Sequence, residues 1–300
     1  MKSLDMSLQN DKILVLGSTG LLGSTLVPYL EWCGYRLERH GRSVTTKHNA
    51  DMSDEVASFK MLNLIKPDVI INLIGLTDVD ACEVNPNFAY LGNVRVIENI
   101  TSWIKKNKSK CHLIQISTDQ VYDGQGPHQE KPVTLTNYYA FSKYAGELVA
   151  TSVQSTILRT NFFGLSHCVK RQSLTDWLYR ALSNNDHIHV FDDVLFNPLS
   201  MKTLSEMINV VLQSRIVGTY NLGSRGGMSK ADFAYSFANA LGLQAQNVDR
   251  TTTGQVTFLK TYRPKDMRMD CTKFESTFCL TLPSLLDQIY LIARDYYENA

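Results

Sequence analysis

KILVLGSTGLLG, residues 12–23, is an apolar run that passes directly into Gly17, Gly20 and Gly23 and then into a segment of helical character. A glycine turn caught between a strand and a helix has a physical reading. Gly17 lets the chain turn sharply, Gly20 lets backbone approach a pyrophosphate, and Gly23 lets the helix pack close to the strand, with the helix N-terminus facing the phosphates. Gly17, Thr19, Gly20, Leu21, Leu22 and Gly23 are therefore the candidate residues for a bound dinucleotide. The competing reading is a plain glycine-rich turn.

Outward from this stretch, a helix is predicted from about Leu21 to Trp32, stopping at Gly34, and a second strand over Arg36–His40. That strand ends in Gly41-Arg42-Ser43, with no acidic side chain for an adenosine ribose 2′-hydroxyl. Arg42 suits a 2′-phosphate, which favours NADPH; a solvated surface arginine is the other reading and leaves NADH open. Apolar runs recur at Asp68–Ile74, His112–Ile116 and Thr156–Leu158, separated by helical stretches near Glu55–Ile65, Phe88–Lys106 and Tyr139–Thr151. Strands alternating with helices imply a parallel sheet covered on both faces.

Past residue 160 the alternation loosens into helices near Leu174–Ser183, Leu204–Gln213, Lys230–Leu241 and after Pro283, with a short strand at His187–Val190. The expected architecture is α/β: a Rossmann-type doubly wound parallel sheet over residues 1–160 and a smaller C-terminal α/β substrate-binding lobe over 161–300. The boundary is soft, because segments of the second half can return to the first sheet.

The 300 residues carry 30 basic and 29 acidic side chains, a formal charge of +1, so no broad basic surface predicts nucleic acid as a partner. The six cysteines form no CxxC pair, and with the seven histidines they complete no zinc spacing, so the expectation is no metal and a reducing compartment. The N-terminal MKSLDMSLQNDK places Asp5, Asn10 and Asp11 where a secretory signal needs an apolar core. No run of eighteen apolar residues follows, so a cytoplasmic chain without a membrane partner is expected. Trp32, Trp103 and Trp177 read as packing residues.

Among the fourteen tyrosines only Tyr139 has a lysine four residues on, Lys143, in the helical segment NYYAFSKYAGELVA. On a helix the two stand on one face. As hydride reaches a ketone carbon, the oxygen becomes an alkoxide and needs a proton donor in contact, and a phenol beside an ammonium provides one. Thr118, at the end of HLIQIS, places a hydroxyl where open parallel sheets bind ligands. A lone YxxxK is more often a surface pair; behind a glycine turn, with a threonine strand end between, it reads as catalytic.

At these residues the chain resembles the extended short-chain dehydrogenase/reductases, and within them the dTDP-4-dehydrorhamnose reductase family. The resemblance runs through GSTGLLG, DMSD at 51–54, INLIGLTDVDACE at 71–83, ISTDQVYDG at 116–124, YAFSK, LRTNFFG at 158–164, FNPLS, GTYNLG and RPKDMRMD at 263–270. It implies that Asp51 and Met52 lie near the adenine and that Ile74, Gly75 and Leu76 line the cofactor path. Tyr139 and Lys143 also contact the cofactor, and Thr118, Asp119 and Phe162 meet the sugar. Arg263 is implied to meet the nucleotide phosphates, a structural salt bridge being the alternative. Phe162 stands where the family often has tryptophan, which leaves the sugar open.

The implied activity is NADPH-dependent reduction of the 4-keto group of a nucleotide-linked deoxysugar, dTDP-4-dehydrorhamnose or a close analogue, for polysaccharide biosynthesis. Related dehydratases carry Thr-Asp-Glu at this strand end, and Gln120 replaces their proton-accepting glutamate. Three further implications stay open: an epimerase or reductase on a UDP- or GDP-sugar, a non-catalytic NADP-binding regulatory subunit, and a homodimer.

Overall fold

The computed structural model describes residues 11–42 and 46–298; residues 1–10, and with them Asp5 and Asn10, and Ser43 of the second-strand motif lie outside the described residues. In chain order the first half contains β1 (Ile13–Leu16), α1 (Gly23–Trp32), β2 (Leu37–His40), α2 (Glu55–Ile65), β3 (Val69–Asn72), α3 (Val79–Val84) and α4 (Pro86–Tyr90). It continues with a π-helical turn (Leu91–Arg95), α5 (Val96–Lys106), β4 (His112–Ile116), α6 (Tyr138–Ala150) and β5 (Ser155–Thr160). Next come β6 (Phe162–Phe163), α7 (Leu174–Asn184), β7 (Ile188–Phe191), β8 (Leu195–Phe196), β9 (Leu199–Ser200), α8 (Met201–Ser214) and β10 (Gly218–Leu222). The chain ends with β11 (Met228–Ser229), α9 (Lys230–Ala240), β12 (Val248–Thr251), α10 (Thr272–Phe278) and α11 (Leu285–Glu298).

Six strands form one sheet in the order β10-β5-β4-β3-β1-β2. The pairs β2·β1, β1·β3, β3·β4 and β4·β5 are parallel, as the strand-helix alternation predicts. The strands β1, β3 and β4 are buried at every position because helices cover both faces, which explains their near-continuous apolar runs. The polar exceptions are paired. His112 Nε2 shares a hydrogen bond with Thr156 Oγ1 at 2.8 Å, and Gln115 Oε1 accepts from Asn72 Nδ2 at 2.8 Å. Leu14, Leu16 and Ile70 meet Leu62 and Ile65 of α2 and Ile97, Ile100 and Trp103 of α5 in one core. Asp54 caps α2 by accepting from Ala57 N at 2.7 Å.

The chain divides into two compact units, each discontinuous in sequence: 1–117, 138–158 and 205–219 in the first, 118–137, 159–204 and 220–300 in the second. A single cut at residue 160 does not describe this division, because 118–137 leaves the first unit and 205–219 rejoins it. The second unit has its own core, in which Phe163, Phe196, Phe233 and Phe237 pack with Leu285, Ile289 and Ile292 of α11. Ser173 and Asp176 form a capping box at the start of α7.

The stretch Phe88–Lys106 is helical throughout, starting at Pro86, with the π turn at Leu91–Arg95 adding about one residue per turn between α4 and α5. One expectation changes. Trp32 does not pack in a core; it is 73% exposed at the end of α1, because that face of the helix looks away from the sheet. Trp103 is buried and donates Nε1–H to Asn63 Oδ1, and Trp177 lies against the second core.

Candidate active site

In the first unit the strand order reverses between β1 and β3, the place where open α/β sheets leave a crevice at the carboxyl ends of the strands. The glycine turn follows β1 there. Gly17 sits at φ +79°, a left-handed conformation that favours glycine, and its N–H and that of Ser18 donate to the His40 carbonyl at 3.1 and 2.9 Å. A Cβ on Gly17 would lie 3.3 Å from Ile74 N, so the turn touches the loop after β3. One on Gly23 would stand 2.4 Å from Gly17 O, and one on Gly20 3.2 Å from the same oxygen. These glycines make the cradle that a pyrophosphate fits, and α1 starts at Gly23 with its N-terminus at the turn.

Thr19 lies beside the end of β2, since a Cβ on Gly41 would sit 2.9 Å from Thr19 Oγ1. Arg42 follows, exposed. Folding also brings Asp51 near it. Hydrogen bonds from the Ser53 hydroxyl and N–H, with the charges of Arg42 and His40, hold the Asp51 carboxyl below its ordinary range. Met52 and Leu22 are buried, Met52 within the first core. The cofactor candidates thus separate into exposed groups at the turn and apolar supports beneath it.

α6 presents the phenol and ammonium. Tyr139 is 5% exposed, its ring packed with Val79, Cys82, Ala89 and Leu76. Lys143, 7% exposed, donates Nζ–H to the Ile116 carbonyl, the last of β4, at 2.8 Å. A Cβ on Gly75 would lie 3.5 Å from Lys143 Nζ and 3.3 Å from Asn93 Oδ1, so the β3 loop, the π turn and α6 converge on this ammonium. Burial pushes Lys143 down to about 8, and the Glu147 carboxylate resists that fall.

Asn93 carries no signal in the sequence, yet it ties these parts together. It accepts from Leu76 N–H at 2.8 Å and donates to Leu76 O at 3.0 Å and Ser142 Oγ at 2.9 Å. The π turn aims its side chain. Ser117 likewise carries no motif in the sequence, and of Glu147 only its register with Lys143 is visible there.

In the second unit, Thr118 Oγ1 accepts from Gln120 N–H at 3.2 Å and donates to Asp119 Oδ1 at 3.3 Å. Asp119 is 1% exposed and accepts from Asn161 Nδ2 at 2.7 Å. Burial pushes its carboxyl up to about 6, opposed by the Asn161 amide and the Lys230 ammonium. Phe162 begins the short strand β6, paired with Leu199 of β9, and is half-buried. Gln120 Oε1 is buried with no hydrogen-bond partner among the described residues. Arg263 donates to the Thr261 carbonyl at 3.1 Å.

All six cysteines are free thiols, and among the described residues no helix is long and apolar enough to cross a membrane. The dTDP-4-dehydrorhamnose reductase of Escherichia coli K12 is 28% identical over 288 residues, spanning 90% of this chain and 93% of that protein. Methionine adenosyltransferase 2 subunit beta of Pongo abelii is 23% identical over 290 residues, spanning 91% and 84%. The crystal structure of dTDP-4-dehydrorhamnose reductase from Bacillus anthracis in complex with NADP superposes with a TM-score of 0.85 at 23% identity, covering 95% and 99%, a likeness of fold. A family model described as the RmlD substrate binding domain matches residues 11–297, through both units and every element from β1 to the last helix, and the chain belongs to that family.

Proposed function

We propose that this protein reduces the 4-keto group of a nucleotide-linked 6-deoxysugar, dTDP-4-dehydrorhamnose or a close analogue, with NADPH, the first unit binding the cofactor and the second the sugar nucleotide. The observation that carries the reading is the buried Tyr139–Lys143 pair, its ammonium seated on the Ile116 carbonyl beside Gly75. The reductases among its relatives support the substrate class.

NADPH supplies a hydride to the ketone carbon when bound. Tyr139 donates its phenolic proton to the oxygen, which becomes the hydroxyl of the product. Lys143 keeps a positive charge beside the phenol so that the phenolate left behind is stabilised, and it offers a donor to the cofactor ribose. Thr118 donates to and orients the ketone oxygen, while Asp119 and Phe162 border the sugar. Gln120, a neutral amide, cannot remove a sugar proton, which disfavours dehydration.

The test is NADPH consumption by the purified protein with dTDP-, UDP- and GDP-linked 4-keto-6-deoxysugars. Turnover with the dTDP substrate is expected. NADPH binding without turnover on any of the three would favour a regulatory subunit, a reading that similarity to the adenosyltransferase beta subunit keeps specific.

Arg42 at the rim of the glycine turn supports NADPH over NADH. Arg42→Ala is expected to weaken NADPH about ten-fold and leave NADH nearly unchanged, since one charge-assisted contact is worth about 1.5–3 kcal/mol. Fluorescence titration of both cofactors reads it; equal losses would leave Arg42 no part in telling NADPH from NADH.

We place the protein in the cytoplasm as a homodimer paired through α6, where Tyr138, Phe141 and Leu148 are exposed, as is Phe88 on α4, a helix that touches α6. Phe141→Glu is expected to convert a dimer to a monomer by sedimentation velocity. A parent chain that sediments as a monomer would end that assignment.

A further inference from the structure

The row of functional groups on α6 does not stop at Lys143. Glu147 follows one helical turn later, so phenol, ammonium and carboxylate share one face. Glu147 is only 3% exposed, whereas its neighbour Leu148 is 56% exposed. The helix buries an acid and leaves a leucine in solvent, the reverse of hydrophobic sorting, and a buried carboxylate persists only when charge and hydrogen bonds compensate it. Ser117, itself buried, donates Oγ–H to Glu147 Oε1 at 2.5 Å.

Around Lys143 in this unit, the end of β4 presents the Ile116 carbonyl, the β3 loop presents Gly75, and the π turn presents Asn93, while Ser117, just past β4, reaches Glu147. None of the groups so presented carries a charge. Among the described residues, the charge that acts on the ammonium is that of Glu147 on its own helix, and Tyr139 stands one turn earlier on the same face.

We propose that Glu147 is a positioning residue for the reduction: its carboxylate, fixed by the Ser117 hydroxyl, keeps Lys143 protonated and seated on the Ile116 carbonyl beside the Tyr139 phenol. This rests on the roles given to Tyr139 and Lys143 above. Burial alone drives the ammonium toward its neutral form, and Glu147 supplies the opposing charge.

The experiment compares the parent with Glu147→Gln and Glu147→Met, two neutral side chains of similar length. Gln still accepts from Ser117. Lysines labelled with ¹³C at the ε-carbon are titrated by NMR, with the Lys143 signal assigned by its loss in Lys143→Arg, and kcat is followed against pH. Removing the carboxylate disfavours the charged lysine, so its midpoint is expected to fall by about one unit and the alkaline limb of kcat to move with it. Near pH 8 this lowers kcat about five-fold, with KM for the sugar nucleotide little changed. Glu147→Asp, which restores the charge, is expected to return most of the shift.

A Lys143 midpoint and kcat limb unmoved in either neutral variant, with melting temperature and NADPH affinity like the parent, would overturn the proposal. A Tyr139→Phe variant with full turnover would instead overturn the catalytic assignment, while the NMR midpoint would still report on Glu147.

Discussion

Tyr139→Phe is expected to lower kcat about 10²–10⁴-fold while leaving NADPH affinity within a few-fold of the parent. The variant keeps the ring that packs against Val79, Cys82, Ala89 and Leu76, so the helix and the cradle stay in place. What it removes is the hydroxyl proposed to deliver a proton to the developing alkoxide, and that delivery is needed only in the transition state. Equal losses in kcat and kcat/KM are the expected signature. Single-turnover absorbance of NADPH reads the chemical step directly. A phenylalanine variant that turned over like the parent would transfer the proton to another donor.

The parent pH profile follows from the same pair. In the proposed roles Tyr139 gives its proton and Lys143 acts as an ammonium, and burial has lowered the lysine to about 8. Activity is thus expected to be present below that value and to fall as pH rises through it.

Gly23→Ala is expected to weaken NADPH more than ten-fold and to lower the melting temperature by several degrees, since overpacking a tight site costs about 1–3 kcal/mol. The added methyl would stand 2.4 Å from Gly17 O and 2.7 Å from the Ser18 carbonyl carbon and oxygen. All three atoms are backbone, so no side chain can swing away. The start of α1 has to retreat from the turn, and the amides that would face a pyrophosphate retreat with it. Gly254→Ala, where a Cβ meets nothing within 4 Å, serves as the control and is expected to change neither quantity. Fluorescence titration and calorimetric melting of the two variants separate a local clash from a general intolerance of alanine.

Much of the first unit was legible because its signals are local. The run at residues 12–16 is buried on both faces, the glycines come next, and α1 follows, with no distant residue needed to read the order. The helix Glu55–Ile65 and the strand His112–Ile116 also emerge with the predicted limits. Tyr139 and Lys143 share a face because helical period alone aligns positions four apart. The two-residue strands β6, β8, β9 and β11 are too short to carry a period, while β10 and β12 lack the apolar run that marks the other strands.

The sequence by itself determined the doubly wound class, the glycine turn, the paired phenol and ammonium, and the family, all of which rest on adjacency and on periods of two or 3.6 residues. Tertiary structure alone decided where Asn93 reaches, that Glu147 is buried and tied to Ser117, that Asp51 stands near Arg42, and that residues 118–137 and 205–219 exchange units. The physical reason is that these features join segments far apart in the chain. Their partners are chosen by how sheet, π turn and helices pack, and no local pattern of residue types encodes that choice.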